Sequence, residues 1–249
     1  MLNYGIYERS RYWEVDLLRG IGITMMVISN AVTDFQFFLG YSEHPLFWRI
    51  FAITTASIFI FTSGLSFWIS YSRTIRKNPK PYGKYLKRAL KLIGLGLLIT
   101  LITMSFDAGT IYFGILTFLG VSTLLGIPFY RLGKRNLLAG PLIFITWLLF
   151  IRNLHDPIWL LPIGVLPGFF MLDYFPIFPW FGLYLIGMGI GSIFYPGGKR
   201  RRELRPPHFP VVPVICFAGR HSLLIYLIHQ PIIVGILLLI YGHLPGLPI

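Results

Sequence analysis

The stretch SLLIYLIHQPIIVGILLLIY, residues Ser222 to Tyr241, decides the fold. It runs for 20 residues without an Asp, Glu, Lys or Arg. At about 1.5 Å of rise per residue it reaches about 30 Å, the thickness of a bilayer's hydrocarbon core. Working back towards the N-terminus, comparable apolar stretches occupy 175–195, 137–151, 110–130, 89–106, 46–71 and 17–39. The stretch at 137–151 is short and needs help from its flanks or from local thinning of the bilayer. The expectation is an all-α fold: a polytopic transmembrane bundle of about seven or eight helices, forming a single integral membrane domain over residues 1–249.

Composition agrees. Of 249 residues 55% are hydrophobic and only 12% charged, too little charge to cover a soluble surface of this size. Lys and Arg number 22 against 9 acids, a formal charge of +13 that on a soluble protein would suggest a nucleic-acid partner. Placement argues against that partner, because the basic residues fall in short runs between apolar stretches. Cys216 is the single cysteine, so neither an internal disulfide nor a cysteine-based metal cluster can form. The first apolar stretch follows charged residues and lacks a small-residue cleavage site, so it reads as a retained helix rather than a removable signal.

Charge also sets the topology. Arg9 and Arg11 precede the first helix; Arg73, Arg76, Lys77, Lys80, Lys84, Lys87, Arg88 and Lys91 follow the second. Arg131, Lys134 and Arg135 follow the fourth, and Lys199, Arg200, Arg201, Arg202 and Arg205 the sixth. These are the alternate connections of a seven-helix chain, so all can face the cytoplasm together, with the N-terminus inside and the cell membrane as the default location. The other side then receives 40–45, 106–109, 152–174 and the tail from His243. The apolar stretch 158–171 is broken by Pro162, Gly164, Pro167 and Gly168 and reads as re-entrant or interfacial, not as a span. Pro210, Pro213 and Gly219 mark a short helix over 211–220 leading into the last span.

Ionisable and amide groups in membrane helices are functional candidates because hydrocarbon makes them costly. Asp16 and Arg19 share a helical face at the start of the first helix, as an anchoring ion pair or a functional one. Asn30 and Asp34, four apart, share a face deeper in, where they can bond to another helix or line a wet cavity. The last helix follows Arg220 and carries Ser222, Tyr226, His229 and Gln230 as one polar stripe, ahead of Pro231. Interhelical packing and function both account for that stripe. The aromatics at 173–182 read as an interfacial belt, and Gly182, Gly187, Gly189 and Gly191 as sites of close helix contact.

Five sets of residues in order resemble one family. They are Glu14-Val15-Asp16-Leu17-Leu18-Arg19-Gly20 with Asn30 and Asp34; 57–64; Phe113-Gly114-Ile115-Leu116 with Leu119-Gly120-Val121-Ser122; Phe178-Pro179-Trp180-Phe181-Gly182; and 219–231. Together they look like the catalytic domain of heparan-alpha-glucosaminide N-acetyltransferase and its small prokaryotic relatives in the transmembrane acyltransferase superfamily. The resemblance runs from Arg11 to about Tyr241.

It implies a membrane acyltransferase that takes an acyl group, typically acetyl, from acyl-coenzyme A on the cytoplasmic side. The acceptor on the other side would be an amino sugar, another glycan or a small molecule. By likeness, Asp16 and Arg19 shape the cytoplasmic end of the path, while Asn30, Arg220, Ser222, Tyr226 and Gln230 bind donor or acceptor. In the animal enzyme the essential histidine follows the first helix. The matching loop here offers His44 as the base, with Asp34 or Glu43 to orient it, and His229 is a further catalytic candidate. No metal is implied. The prokaryotic relatives often carry histidine where this chain has Asn30 and Thr117, and asparagine cannot take a proton near neutral pH. The competing expectation is a non-enzymatic transporter or lipid-binding protein using the same polar stripe. Acceptor, acyl length and the choice between monomer and homodimer are not legible.

Overall fold

The structure is a computed structural model that describes residues 11–41, 43–105, 111–154, 158–166, 168, 171 and 173–241. Arg9, the connection at 106–109 and the tail from His243 lie outside the described residues. Among the described residues eight α-helices follow in order: α1 (Trp13–Leu39), α2 (Pro45–Lys77), α3 (Tyr82–Ser105), α4 (Ile115–Phe129), α5 (Asn136–Thr146), α6 (Ile177–Phe194), α7 (Val211–Arg220) and α8 (Ser222–Tyr241). A helix therefore stands at each of the seven expected positions, with the short extra one before the last.

Five described stretches are long and apolar enough to cross a membrane: Trp13–Gln36, Pro45–Lys77, Ile115–Ile151, Ile177–Phe194 and Ser222–Tyr241. The third contains both α4 and α5, joined by the tight turn Tyr130–Arg135, where Gly133 takes a φ of 54° outside the helical range. α3 is not among them; its first half carries Lys84, Lys87, Arg88 and Lys91. Large apolar side chains point outward, Leu239 with 87% of its surface exposed and Leu138 with 76%. That surface suits lipid rather than water, and the protein is a multi-pass membrane protein.

The chain divides into two compact units, Met1–Phe59 with Leu204–Ile249, and Ile60–Glu203. In the first, α1 packs on α7 and α8. Gly219 makes the α1–α7 contact close: a side chain there would collide with the backbone carbonyl of Asp16. The same contact presses Gly20 against the carbonyl of Ile215. Small residues at such crossings let backbones approach, which is how helices associate when lipid removes the hydrophobic incentive. Trp13 Nε1 donates to the Leu204 carbonyl at 3.0 Å and ties the start of α1 to the return of the chain.

In the second unit α3 packs on α4, α5 on α6, and α6 also meets α4. Gly64 of α2 lies against the Tyr184 carbonyl, and Gly187 of α6 against the Phe61 carbonyl. The stretch from Ile158 is not a spanning helix. It makes one 3-10 turn, Ile158–Leu160, then folds back with Leu161 and Val165 buried. Its backbone is held from several sides. Trp147 Nε1 donates to the Gly164 carbonyl at 3.0 Å, Ile177 N–H to Pro162 at 2.8 Å, and Phe178 N–H to Ile163 at 2.9 Å. These bonds satisfy irregular backbone that lipid could not, as a re-entrant or interfacial segment requires.

Candidate functional site

The polar residues of α1 and α8 meet in pairs. Asn30 Nδ2 lies 2.7 Å from His229 Nε2, and one turn further along α1 Gln230 Nε2 donates to both carboxylate oxygens of Asp34 at 2.9 Å. The four-residue spacing on α1 matches neighbouring positions on α8, so two amide-centred bonds stand side by side. Asp34 and His229 are both buried.

Partner chemistry fixes the proton positions. His229 Nδ1 lies 2.6 Å from the Tyr226 carbonyl, which can only accept, so Nδ1 carries the hydrogen. In the neutral ring Nε2 is then bare and accepts from the Asn30 amide. Were the ring to gain a second proton, Asn30 would have to turn its amide round and offer Oδ1. Asn30 Nδ2 also approaches Met26 Sδ at 3.3 Å, and the Tyr226 ring lies 5.6 Å from the imidazole.

At the start of α1, buried Asp16 lies among the positive charges of Arg19, Arg11 and Arg220. The helix contact at Gly219 brings Arg220, the last residue of α7, to this end. Ser222 opens α8. Of the candidates, the structure thus brings Asn30 to His229, Asp34 to Gln230, and Arg19 and Arg220 to Asp16.

His44 stands apart from these pairs. Its side chain is exposed, its backbone takes a φ of 52°, and its carbonyl accepts from Trp48 N–H at 3.2 Å, starting α2 ahead of Pro45. Positive φ is uncommon for a non-glycine residue but is tolerated better by histidine than by most. Asp34, considered as its orienting carboxylate, is engaged by Gln230. Among the described residues no hydrogen bond joins His44 to Glu43. Thr117, the second departure from the prokaryotic pattern, is buried in the other unit, with its hydroxyl where a side chain on Gly96 would begin.

One acid escaped the sequence reading. Asp173 Oδ2 accepts from the Ile115 N–H at 3.1 Å, at the N-terminus of α4, where a carboxylate is favoured by the exposed N–H groups. Burial nevertheless pushes its pKa up to about 6, with the Ile115 bond holding it partly down. Next to it the Tyr174 hydroxyl reaches the carbonyls of Leu161 at 2.7 Å and Val165 at 2.6 Å, and its burial lifts the phenol to about 12. The signal in the sequence was scarcity: 60–203 holds few acids, and this one adjoins a run of aromatics and prolines.

The profile of the family described as heparan-alpha-glucosaminide N-acetyltransferase, catalytic, matches residues 11–231. The chain belongs to this family. The match takes in both helix pairs above and stops at Pro231, immediately after Gln230. None of the curated proteins and none of the solved structures compared gives a significant match. Membership of the heparan-alpha-glucosaminide N-acetyltransferase catalytic family gives the protein a membrane acetyltransferase type of function.

Proposed function

We propose that the protein transfers an acyl group, acetyl by family, from acyl-coenzyme A to an amine or hydroxyl across the membrane. The observation that carries this reading is the pair of bonds Asn30–His229 and Asp34–Gln230 inside otherwise apolar helices. Groups so expensive to place in lipid are retained where they serve a site.

α1 lines up the parts. Arg19, with Arg220 beside Asp16, offers cations for the phosphates of the donor at the cytoplasmic end. Asn30 lies eleven residues further along, about 16 Å of helix rise, and its second amide N–H, otherwise turned to the weak acceptor Met26 Sδ, can polarise a thioester carbonyl. His44 follows the end of the helix on the acceptor side and serves as the base. The acceptor's lone pair attacks the carbonyl carbon, and the proton that the acceptor loses passes to His44 through water, because about 14 Å of helix rise separates Asn30 from the end of α1. The C–S bond breaks, and coenzyme A leaves as a thiolate that is protonated from solvent. His229, whose Nε2 already accepts from Asn30, positions that amide rather than taking the proton. An amino sugar at a glycan end supplies the acceptor chemistry required.

Isotope-labelled acetyl-coenzyme A tests the scheme on full-length protein in nanodiscs. Saturable binding that is lost in Arg19→Gln, together with label transfer to a glucosamine-terminated acceptor, is the expected result. No binding at millimolar donor would overturn it in favour of a transporter or lipid-binding protein.

A further inference from the structure

The unit Ile60–Glu203 holds an open cavity of about 650 Å³ at the ends of its helices, away from the Asn30–His229 pair in the sequence and unused by the reaction above. Its wall comes from Trp68 of α2, Gly133 and Lys134 of the α4–α5 turn, Ser192 at the end of α6, and Gly197 and Arg201 of the following loop. Two cationic side chains thus border one concavity.

The loop is built to hold more positive charge there. Trp68 Nε1 donates to the Tyr195 carbonyl at 3.2 Å and Arg73 Nε to the Gly198 carbonyl at 2.8 Å, fastening α2 to the turn. Gly197 takes a φ of 58°, and the Arg76 guanidinium occupies the place where a side chain on it would begin. Any other residue there would displace a cation from the rim. Cations outnumber acids in this unit. The described acids of this unit are Asp173, at the far end of α4 from Lys134, and Glu203 in the loop.

Chemistry of this kind, two or three Arg and Lys side chains around a hollow with glycine backbone at its edge, recognises a phosphate group. The surroundings select the source. Phe194, between lining residues Ile193 and Pro196, is exposed, and so are Leu138 and Leu142 on α5, two turns of apolar surface next to Lys134. A soluble phosphate has no use for them, whereas acyl chains do. We infer that this cavity holds the phosphodiester headgroup of an anionic glycerophospholipid, with the lipid's chains along α5 and the end of α6. The volume exceeds what a phosphate ion fills and leaves room for the glycerol.

The test uses full-length protein reconstituted in phosphatidylcholine nanodiscs that contain phosphatidylglycerol, transferred to detergent and read by native mass spectrometry. The variant Lys134→Gln with Arg201→Gln is compared with Lys77→Gln with Lys80→Gln, which removes the same charge at exposed positions outside the cavity. The first should retain phosphatidylglycerol about thirtyfold less than the unaltered protein, the scale expected for two basic residues near a phosphate. The second should retain it unchanged. The charge-keeping pair Lys134→Arg with Arg201→Lys should also retain it, which separates lost binding from lost folding. Equal retention in the first two variants, whether both high or both reduced, overturns the site. Displacement of the bound lipid by inorganic phosphate or glycerol 3-phosphate at millimolar concentration overturns the lipid assignment in favour of a soluble phosphate compound.

Discussion

Asn30 donates to His229 across 199 positions of sequence, at 2.7 Å, and this bond holds the only bare imidazole nitrogen of His229. Replacing Asn30 with Leu therefore breaks a helix-to-helix bond and removes the amide offered to the thioester. The stability cost should be about 1 kcal/mol, the ordinary size for one interhelical hydrogen bond in a membrane. Transfer should fall about 100-fold if the amide polarises the carbonyl. Denaturant titration in mixed micelles and a single-turnover assay separate the two effects. Unchanged turnover with reduced stability would leave Asn30 a structural residue.

His44 is exposed and its side chain does not brace the fold, so its substitution isolates chemistry from folding. His44→Asn, which tolerates the positive φ as histidine does, should lower transfer by about 100-fold or more, the usual contribution of a general base, while leaving the thermal transition where it was. Donor binding should be intact. Full activity in this variant would move the base elsewhere without touching membership of the family.

The α1–α7 contact should tolerate no side chain at position 219. Gly219→Leu drives carbon into the Asp16 carbonyl, and relief requires the helices to separate. A cost of about 2 kcal/mol or more is expected, as for overpacking elsewhere. Arg220 would move with α7, so acetyl-coenzyme A affinity should weaken alongside the melting temperature. A variant that melts like the original would show that the helices have slack.

Asp173 predicts a pH dependence of stability. Its pKa is about 6 in the fold against about 3.9 in an unfolded chain, so the folded state holds the extra proton between these values. The favourable contribution is complete below about pH 4 and is lost as pH rises through about 6. Asp173→Asn keeps an oxygen for the Ile115 N–H and carries no charge. The variant should melt higher than the original at pH 7 and lose the slope between about pH 4 and 6 attributable to this group. Identical slopes in the two proteins would place the titration on another residue.

The helices could be read from the chain because lipid leaves so few alternatives. The 20 uncharged residues of α8 and the proline-broken start of α7 were sufficient to place both. The four-residue step from Asn30 to Asp34 and the neighbouring pair His229 and Gln230 showed two polar faces. Their mutual register was not visible, because it depends on how α1 crosses α8. Asp173 and Ile115 illustrate the same limit: they are 58 positions apart, and only the folding of the stretch after Ile158 brings a carboxylate to the first turn of α4. The cationic cavity was hidden for a different reason. Lys134 and Arg201 each belong to a basic cluster that membrane topology already explains, so neither stood out until the turn at Gly197 closed around Arg76.

Pro231 lies within α8, directly after Gln230. Having no amide hydrogen, it offers the carbonyl of Leu227 no donor from the next turn. The ladder of α8 thus lacks one rung beside the imidazole and the carboxamides, so the helix is most easily bent where its polar groups sit.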